Sequence, residues 1–346
     1  MELHLLLGYS GAQANIDMKR ILAAEKAGFT CVWTAEAYGA DAVSTAAWIL
    51  SQTSKIRVGT GIMQMQARSP ALAAMTAMTL HDLSDGRFVL GIGPSGPQVI
   101  EGWHGIPYGR PLTRTREYIE IIRKILARKA PLTHEGHHYQ IPNIGIDSTG
   151  LGKPLKSIIH GDPSLPIVTG AMTAAGVRLS AEIADGMLLA FMKPERFDVF
   201  EKPMNEGLAA ASGRKTRKEF DIVPYVMVCS GNNLDACRQP VRERLALYIG
   251  GMGAPDKNFY NDYAQSIGYE AAAAEVQRLY LSGKYREAAI AVPDALVDDL
   301  ALVGPRDRIS AQLDRWREAA AKRHISAMAV TAPTIDDVHM LAELIL

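Results

Sequence analysis

Short apolar runs alternate along this chain with segments of helical period, and the alternation recurs from end to end. Residues 3–7, 29–34, 56–62, 88–92, 165–170, 186–191, 221–229 and 325–331 read as strands, rich in Val, Ile and Leu and punctuated by Gly. Between them, residues 16–27 carry Ile16, Ile21, Leu22, Ala24 and Ala27 near a helical period, and Gly28 stops the run. Ser69-Pro70 opens a helix to Leu83, with proline early, where its missing N–H costs little. Such a rhythm demands a parallel sheet with right-handed crossovers, which an open doubly wound sheet and a closed barrel both satisfy. The count decides: eight strand and helix pairs fit an α/β fold of the (β/α)8 TIM-barrel type, a single domain over residues 1–346. Two irregular stretches interrupt it, near 131–163 and 250–291, and insertions of that kind serve as lids or oligomer contacts.

Composition narrows the function classes. Lys and Arg together number 37, as do Asp and Glu, so the net charge is zero and a dominant nucleic-acid or membrane-surface role is disfavoured. No apolar run of about 18 residues is present to span a membrane. Cys31, Cys229 and Cys237 are odd in number and widely spaced, with neither a disulfide framework nor zinc spacing. The chain enters a strand at once, without the basic and apolar regions of a secretory signal, and a cytoplasmic location is expected.

In a barrel of this kind the chemistry sits where strands end. The candidates there are the Gly8-Tyr9-Ser10 loop, Glu36 with Tyr38, residues 61–66, residues 91–96, and Gly170-Ala171-Met172-Thr173. In Arg57-Val58-Gly59-Thr60-Gly61-Ile62-Met63-Gln64, two glycines interrupt a buried strand. Glycine there marks a bulge or the close approach of another surface, here the backbone wall for a flat ring. The segment from Gly170 to Thr173 puts small residues and free N–H groups at a helix N-terminus, suited to phosphate. Gly91, Gly93 and Gly96 spell G-x-G-x-x-G after a strand. Pro94 and Pro97 fit poorly with a helix starting at the second glycine, so this is a loop along which a cofactor could pass, with Ser95 in it. His104, after Trp103, is the histidine nearest the site. His134, His137 and His138 lack the spacing of a metal pair and an adjacent acid, and no metal is expected.

Together these residues resemble a family. Glu36, Gly59-Thr60-Gly61-Ile62, Ser69-Pro70, the turn Leu83-Ser84-Asp85-Gly86-Arg87-Phe88, Gly91-Ile92-Gly93, residues 110–116 and Ala184-Asp185-Gly186 are similar to the bacterial luciferase-like superfamily. Within it the chain resembles the coenzyme F420-dependent oxidoreductases. The resemblance implies a barrel with insertions and a bulge in the third strand bearing a non-proline cis peptide, here Gly61-Ile62, behind a deazaflavin ring. It implies hydride transfer between that ring and a small, apolar organic substrate. Gly59, Thr60, Gly61, Ile62, Gly91, Gly93, Ser95, Gly170, Ala171, Met172 and Thr173 would hold the cofactor, the last four taking its phosphate. The resemblance also implies a homodimer, as related barrels are commonly dimers. One departure stands out. Several relatives carry histidine after the acidic residue that follows strand two, and here Ala37 stands there. Glu36 is then the expected proton donor or acceptor, with Tyr38 and His104 as alternatives. Met63, Met65 and Trp103 offer an apolar lining. An FMN-dependent luciferase-like monooxygenase is the alternative reading, and a non-catalytic F420-binding protein the second.

Overall fold

A computed structural model describes residues 1–9, 11–211, 215–253 and 257–346. Eight parallel strands close into a barrel: β1 (Glu2–Leu6), β2 (Cys31–Thr34), β3 (Arg57–Thr60), β4 (Phe88–Gly93), β5 (Ile167–Gly170), β6 (Gly186–Leu189), β7 (Asp221–Ser230) and β8 (Ala327–Val330). Each pairs with the next, and β8 pairs with both β7 and β1, which closes the ring. Closure removes the open edges that an eight-stranded sheet would otherwise present.

Two apolar layers hold it. Cys31, Trp33, Val89, Val168, Leu188, Val223, Ala327 and Ala329 fill the barrel interior. A larger layer packs between the strands and the outer helices, among them α1 (Met18–Lys26), α2 (Ala42–Leu50), α3 (Pro70–Leu83), α4 (Pro111–Ala127), α5 (Ala174–Ile183), α6 (Asp198–Ala210), α7 (Leu234–Ala246), α8 (Arg306–Ala321) and α9 (Ile335–Ile345). Capping matches the sequence: Asp17, Asp41, Ser69, Asn233 and Thr334 each accept a first-turn N–H through the side chain. Arg87 of the Ser-Asp-Gly-Arg turn donates to the carbonyls of Leu50, Ile56 and Ser84, tying α2 to the entry of β3 and β4. At the floor of the barrel Trp33 Nε1 donates to His4 Nδ1 at 3.0 Å, and His4 Nε2 faces Glu2, which Arg57 and Thr30 also engage.

Three local features modify the plain barrel. The third strand breaks after Thr60 and resumes as Met63–Gln64, which pairs with β4 at Ile92 and Gly93. A further strand, Ala301–Gly304, pairs with the far half of β7 outside the barrel. Residues 131–163 hold a hairpin, His134–Glu135 against Gln140–Ile141, whose turn is capped by Glu117 of α4. That carboxylate accepts the N–H groups of His137, His138 and Tyr139, so an acid does lie beside the histidines, one the local sequence did not show. Among the described residues no group of three or more His, Cys, Asp and Glu gathers as a metal site. Residues 250–291 carry the helices Phe259–Ser266, Glu270–Leu281 and Tyr285–Ile290. No described helix is long and apolar enough to cross a membrane.

Candidate active site

The break in β3 is the centre of the barrel mouth. The Gly61-Ile62 peptide is cis, and Gly61 N–H still reaches back to Thr34 O at 2.6 Å. Thr60 is fully buried, and its hydroxyl bridges β4, donating to Gly91 O at 2.7 Å and accepting from Gly91 N at 3.0 Å. Thr60 therefore spends its side chain on register. Gly59 likewise serves packing, since a Cβ there would overlap the Trp33 ring. Ile62 emerges between two glycines: a Cβ on Gly93 would press on it at 2.9 Å and one on Gly170 at 3.3 Å. The Ile62 side chain thus lies over Gly93 and Gly170, and only residues without bulk at those two positions make room for it.

Glu36 is clamped. Arg68 donates to both its carboxylate oxygens, at 2.9 and 3.0 Å, while Gln64 N–H donates at 2.7 Å and Ala42 N–H at 3.3 Å. Arg68 also pairs with Asp41, the N-cap of α2. The Glu36 side chain is 9% exposed and that of Arg68 16%. The carboxylate therefore ties β2, the bulge and α2 together, with its oxygens committed to protein donors.

Gln64 runs the other way. Its side chain is buried, and its Nε2 donates to Ala37 O at 3.0 Å and Ser95 Oγ at 3.3 Å. That fixes the amide so that Oε1 faces His104 Nε2 at 2.6 Å. An acceptor at that distance requires a proton on Nε2, which leaves Nδ1 to face another group. Ser95 has a left-handed backbone (φ 55°) and is held further by Tyr108, whose hydroxyl donates to Ser95 O at 3.1 Å. Tyr38 and Trp103 stand at the rim beside His104, about two-thirds exposed, with ring centroids 6.4 Å apart. Met63 and Met65, by contrast, are fully buried core.

Across the mouth, Ala171 N–H bonds Leu188 O and Thr173 caps α5, accepting from Gly176 N at 3.0 Å. The first turn of α5 points its N–H groups out beside Met172 and Thr173. Thr173→Ala removes the cap and is expected to lower unfolding free energy by about 1 kcal/mol in urea titrations. Tyr225 of β7 completes the mouth. A Cβ on Gly61 would overlap its hydroxyl, which is buried and, among the described residues, has no hydrogen-bond partner. Burial pushes its pKa well above the usual tyrosine value, so the phenol keeps its proton. Of the loop after β1, Tyr9 is described and lies at the mouth; Ser10 is outside the described residues. Gln64 falls within the 61–66 candidate stretch, but local patterns single out neither Arg68 nor Tyr225, because each acts through partners distant in sequence.

The comparisons with known proteins agree with this geometry. The family model for luciferase-like monooxygenases matches residues 8–323. A Mycobacterium tuberculosis protein provisionally named a coenzyme F420-dependent oxidoreductase is 43% identical over the whole of this chain and 99% of its own length. The 5,10-methylenetetrahydromethanopterin reductase of Archaeoglobus fulgidus is 28% identical over 89% of this chain and 87% of its own. Among solved structures, the coenzyme F420-dependent tetrahydromethanopterin reductase of Methanopyrus kandleri superposes with a TM-score of 0.80 at 20% identity, covering 99% of this chain and 97% of that one. The family match over most of its length and a relative 43% identical from end to end place this chain in the luciferase-like family of oxidoreductases.

Proposed function

We propose that the protein is a coenzyme F420-dependent oxidoreductase that moves a hydride between the deazaflavin and a small organic substrate. The observation that carries the reading is the wall at Gly61-Ile62, flanked by Gly93 and Gly170. The residues present fit a flat heterocycle: the Ile62 side chain, seated over Gly93 and Gly170, gives an apolar wall, and the Tyr225 hydroxyl beside Gly61 is a buried donor with no partner among the described residues. The relative at 43% identity, provisionally named for the same cofactor, supports it. Ile62, Gly61, Gly93 and Gly170 would hold the ring, and the first turn of α5 after Thr173 would take a phosphate. When bound, the deazaflavin supplies two-electron hydride chemistry.

The chain's own residues supply position and a proton. Glu36 and Arg68 hold the bulge in place from behind. We assign proton transfer to His104, with the Gln64 amide keeping its Nε2 protonated and turning Nδ1 to the substrate. Glu36, expected from sequence to carry the proton, is better suited to positioning, since Arg68 and two N–H groups hold its oxygens. Trp103 and Tyr38 offer apolar surface for the substrate at the rim.

Stopped-flow oxidation of reduced F420 against a panel of carbonyl, imine and activated alkene compounds tests this. Turnover of at least one class is expected, and His104→Gln should slow it on the order of 100-fold, the low end for a general acid or base, with cofactor affinity unchanged. Tight cofactor binding without turnover of any class would instead indicate a carrier of F420.

A further inference from the structure

The side of the mouth opposite His104 is aromatic. Tyr9 follows β1 and Phe191 follows β6, while Tyr248 and Tyr260 come from the connection between β7 and β8. Tyr248 meets Tyr260 edge to face at 4.7 Å and Phe191 at 5.2 Å. Asn258, buried, donates from Nδ2 to the carbonyls of Tyr248 and Ile249 and fixes the turn that carries the ring. Tyr9 and Tyr248 face each other through their hydroxyls at 3.4 Å.

One cation sits on this wall. The Arg244 guanidinium lies 5.0 Å from the centroid of the Tyr9 ring and 4.8 Å from that of Tyr248. The other arginines of α7 are paired: Arg238 with Asp294 and Asp298, Arg242 with Asp235 and Asp294. Among the described residues, no carboxylate and no hydrogen-bond acceptor engages Arg244. Two rings hold the guanidinium in place with its N–H groups unspent among the described residues, and a guanidinium so held can take a planar anion two-pronged.

We propose that Arg244 anchors a carboxylate carried by the substrate, so that the enzyme acts on organic acids whose apolar part lies on the wall of Tyr9, Phe191, Tyr248 and Tyr260. This rests on the reading of the mouth as a hydride-transfer site. Tyr225 joins the two halves, since it stands beside Gly61 and belongs to β7, the strand whose following connection carries Arg244, Tyr248 and Tyr260. A substrate held at Arg244 would therefore extend toward the wall at Gly61-Ile62.

Calorimetric titration of the purified protein with 3-phenylpropanoate and its neutral amide tests the assignment without turnover. Wild type should prefer the acid roughly tenfold or more, the range of a charge-assisted hydrogen bond. Arg244→Met keeps the stem over the rings and should abolish the preference; Arg244→Lys should keep part of it. F420 affinity should stay within about threefold of wild type in both. Equal binding of acid and amide by wild type overturns the proposal, as does an unchanged preference in Arg244→Met. A large loss of F420 affinity in Arg244→Met also overturns it, since the anion would then belong to the cofactor. Acid preference in a wild type that binds no F420 would uphold Arg244 and refute the cofactor reading.

Discussion

Gly91→Ala is expected to lower unfolding free energy by more than about 4 kcal/mol or to prevent folding. The added Cβ would overlap the Thr60 carbonyl oxygen and meet Val168 Cγ2 at 3.3 Å. The first obstacle is backbone and cannot rotate aside, so relief requires moving β3 away from β4. That movement would also break both hydrogen bonds by which the Thr60 hydroxyl spans the strands. Gly102→Ala is the control: nothing lies within 4 Å of its Cβ, and its effect should fall within about 0.5 kcal/mol of zero. Urea unfolding followed by circular dichroism measures both, and equal stabilities for the two variants would refute the close approach of β3 and β4.

The second large effect is at Glu36. Glu36→Ala leaves the Arg68 guanidinium in a mostly buried place with Asp41 alone, and breaking such a pair costs about 3–5 kcal/mol. It also frees the N–H groups of Gln64 and Ala42. Cofactor affinity should fall with stability, because Gln64 immediately follows the bulge. Adding Arg68→Met to Glu36→Ala removes the stranded charge and should recover part of the stability, a non-additivity that thermal or urea unfolding of all four proteins reads out. A Glu36→Ala protein of wild-type stability and cofactor affinity but no turnover would return Glu36 to the role of proton carrier.

Much of the frame is local and therefore legible. All eight barrel strands fall where apolar runs end in glycine or polar loops, and Ser69-Pro70 and Thr334 begin helices because caps are short-range chemistry. The interrupted third strand is likewise visible in its two glycines. The reasons for those glycines are not: Gly59 makes room for Trp33, and Gly91 for the Thr60 carbonyl, 31 residues away. The ion pair from Arg68 to Glu36 spans 32 residues, and the Gln64–His104 contact spans 40. The Tyr9–Tyr248 contact spans 239, and pairings of that length leave no period in a single sequence. The strand Ala301–Gly304 escaped because four residues ahead of a proline are too short to register as a pattern.

The most direct test of the central claim is a pair of binding titrations, F420 and FMN, each followed by fluorescence and calorimetry on the purified protein. The wall at Gly61-Ile62 and the Tyr225 hydroxyl predict binding of a flat deazaflavin or flavin ring, and the name of the 43% identical relative puts F420 first, so F420 should bind at about micromolar or tighter and FMN more weakly by roughly tenfold or more. Preference for FMN would contradict the deazaflavin reading and make the protein a flavin monooxygenase of the same family, and binding of neither would remove the cofactor from the site altogether.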